Sequence, residues 1–135
     1  MPRTVIRPPS LSFQPRPTFP YSPGATDGRL VYTAGQVSWG PDGNLVGVGD
    51  IVAQTRQTLS NVMAVLETAG ATLDDVLKCN VYLKDMGDFQ AMNAEFARVF
   101  PNDPPARTTV QTPLSDPEML VEIEAVASLY RADTP

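Results

Sequence analysis

Histidine does not occur in this 135-residue sequence, and cysteine occurs once, at Cys79. The first absence removes any Ser-His-Asp or Cys-His arrangement, any HExxH metal helix and any imidazole general base. The second removes an intrachain disulfide and a CxxC pair for zinc or redox chemistry. No apolar run reaches the roughly 18 residues of a membrane-spanning helix. The N-terminus has no apolar signal segment either, so a soluble, cytoplasmic protein is expected. Cations are scarce in the body of the chain. Residues 30–135 hold six against fourteen acids, net −8, while residues 1–29 hold four arginines against Asp27, net +3. An acidic body repels phosphate backbones, which argues against nucleic-acid binding.

Proline, by contrast, is abundant: seven of the fourteen fall in residues 1–23. Their spacing excludes helix and favours an extended arm. Phe13, Phe19 and Tyr21 give that arm aromatic anchors, so it is expected to be ordered, with an edge strand over 4–7. At this length one domain is expected over 1–135, with the arm over 1–28 and a core over 29–130.

Residues 30–37 are rich in strand formers, Pro41-Asp42-Gly43-Asn44 is a turn, and a returning strand is expected over 45–48. Gly35, inside the first strand, marks a bulge or the close approach of a backbone or ligand. Asp50 caps a helix whose stripe is Val52, Thr55, Leu59, Val62, Met63, Leu66 and Ala69, with Gly70 at its C-terminal stop. Residues 76–84 alternate, placing Leu77, Cys79, Val81 and Leu83 on the apolar side. A lone cysteine among such neighbours is a core residue rather than a nucleophile. A second helix, capped by Asp85, carries Phe89, Met92, Asn93, Phe96, Val99 and Phe100 and is stopped by Pro101, Pro104 and Pro105. Two strands close the chain, over 106–112 and 119–130.

These elements describe an α+β fold with a five- or six-stranded sheet, expected to be mixed and six-stranded, and two helices on one face. The other face keeps Lys78, Asn80, Tyr82, Glu122 and Glu124 uncovered, a mixture suited to subunit association. Candidates for chemistry are few. Arg107 follows a proline stop, and its planar fork suits a carboxylate, although composition alone favours an ion pair with one of the many acids. Glu122 and Glu124 share a strand face, which composition reads as a solvated surface. Tyr21 is an arm anchor or a hydroxyl donor.

Several strings, taken together and in order, are more specific. They are Ala34-Gly35-Gln36, Gln54-Thr55-Arg56-Gln57-Thr58-Leu59-Ser60-Asn61, Val81-Tyr82-Leu83-Lys84-Asp85-Met86, Pro105-Ala106-Arg107-Thr108 and Val121-Glu122-Ile123-Glu124-Ala125. Over about residues 19 to 130 the sequence resembles the Rid family, also called YjgF or endoribonuclease L-PSP proteins. The resemblance implies a chorismate-mutase-like subunit in a homotrimer with clefts between subunits. It implies hydrolytic deamination of enamines and imines of small carboxylates, of the 2-aminoacrylate or 2-iminobutanoate type, to 2-oxo acids and ammonia. Neither metal nor organic cofactor is implied. Arg107 matches the carboxylate-binding arginine, Glu122 the glutamate that positions water, Gly35 the glycine beside the ligand, and Tyr21 the arm tyrosine. Thr109 stands among the catalytic positions where many deaminating members carry cysteine, a departure compatible with a larger or differently placed enamine carboxylate. A non-catalytic carboxylate-binding trimer is the alternative reading, and a ribonuclease the distant one.

Overall fold

Six strands form one mixed sheet in the computed structural model, which describes residues 2–11 and 19–131. They are β1 (Thr4–Ile6), β2 (Gly24–Thr26), β3 (Leu30–Thr33), β4 (Val76–Leu83), β5 (Ala106–Gln111) and β6 (Val121–Ser128), in the spatial order β1-β2-β3-β6-β4-β5. Only β4 and β5 run parallel, because helix α2 (Phe89–Val99) connects them; the other neighbours are antiparallel. Helix α1 (Ile51–Thr68) packs on β3 and β6 and against α2, so both helices cover one face.

Alternation along β6 determines which side chains meet them. Val121, Ile123, Ala125 and Ala127 are buried toward the helices, while Glu122, Glu124 and Val126 face away. Gly24 lets α1 come close, since a Cβ there would lie 3.1 Å from the Tyr32 carbonyl oxygen and on the Val65 methyl. The Asp50 side chain accepts from the Ala53 amide at 3.1 Å, as expected of an N-cap. Gly70, at φ +89°, ends the helix in the left-handed conformation. Asp85 caps a short 3-10 turn at Met86–Asp88 that leads into α2.

Three strand expectations are corrected. The strand expected over 30–37 stops at Thr33. Tyr32 pairs with Val126, yet Gln36 bridges Ile123, so one extra residue is accommodated around Gly35. The returning strand over 45–48 does not form. Trp39 and Leu45 make an isolated bridge, after which Gly47 and Gly49 turn left-handed at φ +78° and +76°. Its place in the count of six is taken by β2, joined to β3 through Asp27-Gly28-Arg29. There Gly28 has φ +93°, and the Asp27 carboxylate accepts from the Arg29 and Leu30 amides. Leu77, expected inside, is exposed, because a register shift between Val76 and Lys78 turns it outward. In the arm, the 4–7 strand appears as β1, and Ile6 and Leu11 are buried. Phe19 stacks on Tyr21 with centroids 6.1 Å apart; Phe13 lies outside the described residues.

Candidate active site

Glu122 sits near the start of β6 on the sheet face that the helices leave open. The chain beside it is bent by the extra residue at Gly35. Backbone bonds between Gln36 and Ile123, at 2.8 and 2.9 Å, fasten that bend to β6. Gly35 therefore lies directly against the Glu122 side chain. A Cβ at position 35 would fall on carboxylate oxygen Oε2 and 2.8 Å from the carboxyl carbon, so any side chain there would displace the carboxylate. Tyr21 reaches the same place from the arm. These residues line a cavity of about 300 Å³ whose other walls include Phe19, Val37, Trp39 and Met119. Burial raises the Glu122 carboxyl above the usual carboxylate range, and the negative Glu124 raises it further. Tyr21 is likewise raised, by burial and then by the charge of Glu122. Glu124 is engaged differently: the Tyr82 hydroxyl donates to it at 2.8 Å. The two glutamates, alike in sequence, thus have separate environments.

Arg107 lies on β5, the edge strand, in register with Cys79 of β4. Paired residues of parallel strands point the same way, so its side chain runs beneath α2. One guanidinium nitrogen donates to Asn93 Oδ1, and the Met92 sulfur lies 3.8 Å from another. The group stands 4.8 Å from the Phe96 ring centroid and 5.7 Å from that of Phe89, in cation–π range. Burial lowers its pKa, although a guanidinium retains its charge at any physiological pH. Among the described residues it has no ion pair, so the ion-pair reading that composition favoured is not realised. Beside it opens a cavity of about 480 Å³ lined by Phe96, Phe100, Pro104 and Pro105. A fixed cation with apolar walls and no carboxylate of its own among the described residues has the chemistry to take an external anion.

Thr109, two residues along β5, points to the same face as Arg107, and its hydroxyl is buried without a hydrogen-bond partner. Cys79 is core: 1% exposed, with its thiol pushed up to about 11 by burial.

The candidates accordingly form two groups. Tyr21, Gly35 and Glu122 converge on the open face; Arg107 and Thr109 lie on the helix-covered face at the sheet edge. One chain does not bring them together. Sequence reasoning also left several participants without a role. Asn93 orients Arg107, and its signal was an amide in the otherwise apolar stripe of α2. Trp39 and Met119 wall the Glu122 cavity from loops whose course no periodicity reveals.

The model of the Endoribonuclease L-PSP family matches residues 12–129. A RutC family protein of Pyrococcus horikoshii is 44% identical over 113 residues, covering 84% of this chain and 90% of that protein. Among solved structures, the YjgF gene product of E. coli aligns with a TM-score of 0.83 at 32% identity, over 94% of this chain and 99% of its own. The Rid family protein YyfA of Yersinia pestis aligns with a TM-score of 0.83 at 34% identity, covering 95% and 100%. E. coli TdcF, solved with bound serine, gives a TM-score of 0.83 at 29% identity, covering 94% and 99%.

Proposed function

This chain belongs to the Endoribonuclease L-PSP family, the Rid/YjgF proteins, and from that premise we propose that it hydrolyses enamines and imines of small carboxylates to 2-oxo acids and ammonia. The observation that carries the reading is Arg107: a charged guanidinium oriented by Asn93 and two aromatic rings, with no carboxylate partner among the described residues. TdcF, a structural relative, was solved with serine, whose α-carboxylate is the kind of group such an arginine accepts.

The site is completed between copies of the chain in a homotrimer. Arg107 of one copy faces the Tyr21, Gly35 and Glu122 cluster of the next, since the two groups occupy opposite faces of the sheet. The reaction needs little more. An imine carbon is already electrophilic, so binding and orientation supply much of the catalysis. Arg107 fixes the carboxylate. Glu122, held above the ordinary carboxylate range, orients water and takes up its proton as the oxygen attacks the imine carbon. The same proton passes to the nitrogen, giving a carbinolamine; Glu122 then carries the carbinolamine hydroxyl proton to that nitrogen, the C–N bond breaks, and ammonia leaves as the carbonyl forms. One water is consumed, and one 2-oxo acid and one ammonia are released. Thr109, next to Arg107 on the strand, brings a hydroxyl with unused hydrogen-bonding capacity.

The test is release of 2-oxobutanoate from 2-iminobutanoate generated in the assay by a threonine dehydratase. Wild-type protein accelerates release, and Arg107→Ala lowers the catalysed rate by about 100-fold or more, as loss of a charged clamp and of orientation demands. Equal rates for the two proteins contradict the proposal. Calorimetric binding of 2-oxobutanoate without turnover of any imine would instead select the non-catalytic carboxylate-binding trimer. A body of net charge −8 disfavours RNA as substrate.

A further inference from the structure

Helix α1 buries more amide than packing calls for. Gln54 is 0% exposed and Asn61 4%, on the face where an amphipathic helix ordinarily carries aliphatic side chains. Both are hydrogen-bonded, and every partner except one neighbour on α1 itself belongs to a loop. Gln54 Nε2 donates to the Glu118 carbonyl at 2.8 Å and the Gly47 carbonyl at 3.2 Å, while its Oε1 accepts from the Leu120 amide at 2.9 Å. Its two C-terminal partners flank Met119, a wall of the Glu122 cavity. Asn61 Nδ2 donates to the carbonyls of Val37 and Trp39, each at 2.9 Å, and its Oδ1 accepts from Gln57 at 3.0 Å. Val37 and Trp39 are also cavity walls. The two amides are two helical turns apart, about 10 Å along the axis.

We propose that Gln54 and Asn61 are positioning residues that hold these two walls at a separation admitting a bulky apolar side chain on the substrate, of the branched or aromatic 2-imino acid class. The inference rests on the reading of the Glu122 cavity as part of the substrate site. It adds what selects the substrate there. Phe19, Val37, Trp39 and Met119 offer apolar surface beside the polar Ser115 and Asp116, and a substrate whose side chain is only a methyl group would leave much of about 300 Å³ unfilled. Each wall is fastened to the sheet at one end only, through the Gln36–Ile123 bonds and the Lys84 amide on the Leu120 carbonyl, and beyond those points the bonds to the helix hold it. A buried amide serves better than an aliphatic residue here, because backbone carbonyls and amides at fixed points require directional partners.

Calorimetry of pyruvate and 4-methyl-2-oxopentanoate, the products from the small and the branched imine, tests this without requiring turnover. The wild-type protein should bind the branched acid roughly tenfold or more tighter, the range that filling an apolar pocket provides. Gln54→Met and Asn61→Ala should bring that ratio close to one. Gln54→Glu and Asn61→Asp keep side-chain size but lose the donated bonds, and should do the same if the first pair unfolds; circular dichroism checks the fold of each. With the corresponding imines, the loss should fall on KM for the branched substrate rather than on kcat, whereas general loosening would lower both substrates alike. A wild-type protein without preference, or folded variants that keep it, overturns the inference. Preferential binding of the branched acid without hydrolysis of either imine would refute the deaminase reading and leave the inference standing. Failure to bind either acid would refute both.

Discussion

Glu122 and Gly35 lie directly against each other, and a side chain at position 35 would take the space of the carboxylate. Gly35→Ala would drive a methyl group into the Glu122 carboxylate. Turnover should fall on the order of 100-fold, the cost of misplacing a reacting group by about 1 Å. Circular dichroism should stay unchanged, because the displaced side chain lies on the open face rather than in the core. Glu122 also carries a pH signature. Burial and Glu124 raise its folded-state pKa, so folding favours the protonated acid. The stability contributed by that protonated form is fully present below the ordinary glutamate pKa. It is lost as pH rises through the higher folded value. Glu122→Gln removes this dependence. Thermal melts at stepped pH should show the variant gaining on the wild type as pH climbs above the ordinary carboxylate range, while its turnover is lost. A variant that fails to gain contradicts the assigned environment.

Elements that bury one clean face were legible from their residues. The β6 alternation placed Glu122 and Glu124 outside, and the α2 stripe placed Met92 and Phe96 inside. Where the signal failed, a local device had overridden periodicity. The register shift after Val76 turned Leu77 out, and paired left-handed glycines replaced the strand expected over 45–48. The Asp27-Gly28 hairpin was readable as a turn pair but lay close behind the proline-rich segment, which obscured β2. The site was legible only in part. The resemblance singled out Arg107, Gly35 and Glu122 as candidates, but their division between two faces depends on register, which no single strand reveals. Pairing between helices was equally invisible. Glu95 is buried on α2 and accepts from Arg56 of α1 at 2.9 and 3.1 Å and from Arg98 at 3.0 Å. Hydrogen bonding by Arg56, foremost, and by Arg98 holds its carboxyl below the ordinary glutamate range. Its contribution is therefore present above that range and disappears as pH falls through the lowered folded value. Glu95→Gln should lower the melting temperature at neutral pH, with the difference shrinking in acid. A difference that does not change with pH would contradict the clamp.

At the scale of the whole molecule, the sheet face opposite the helices is left open by the described residues. Tyr32 is 54% exposed there, and Val110 is exposed alongside the Tyr82–Glu124 pair, a surface suited to a second copy of the chain. Association would also resolve the division of the site. Arg107 stands on the helix-covered face and Glu122 on the open one, so a catalytic centre containing both draws them from different chains. The proposed chemistry and the proposed assembly are therefore one claim, tested most directly by complementation. Arg107→Ala and Glu122→Gln, each inactive alone, are unfolded together in equal amounts and refolded as mixed assemblies. If every site takes its arginine from one chain and its glutamate from another, random mixing restores about one quarter of the sites. Turnover of 2-iminobutanoate should then recover from background to about that fraction of the wild-type rate. A mixture that forms mixed assemblies yet stays at background would contradict the account, because both residues would then have to act from a single chain.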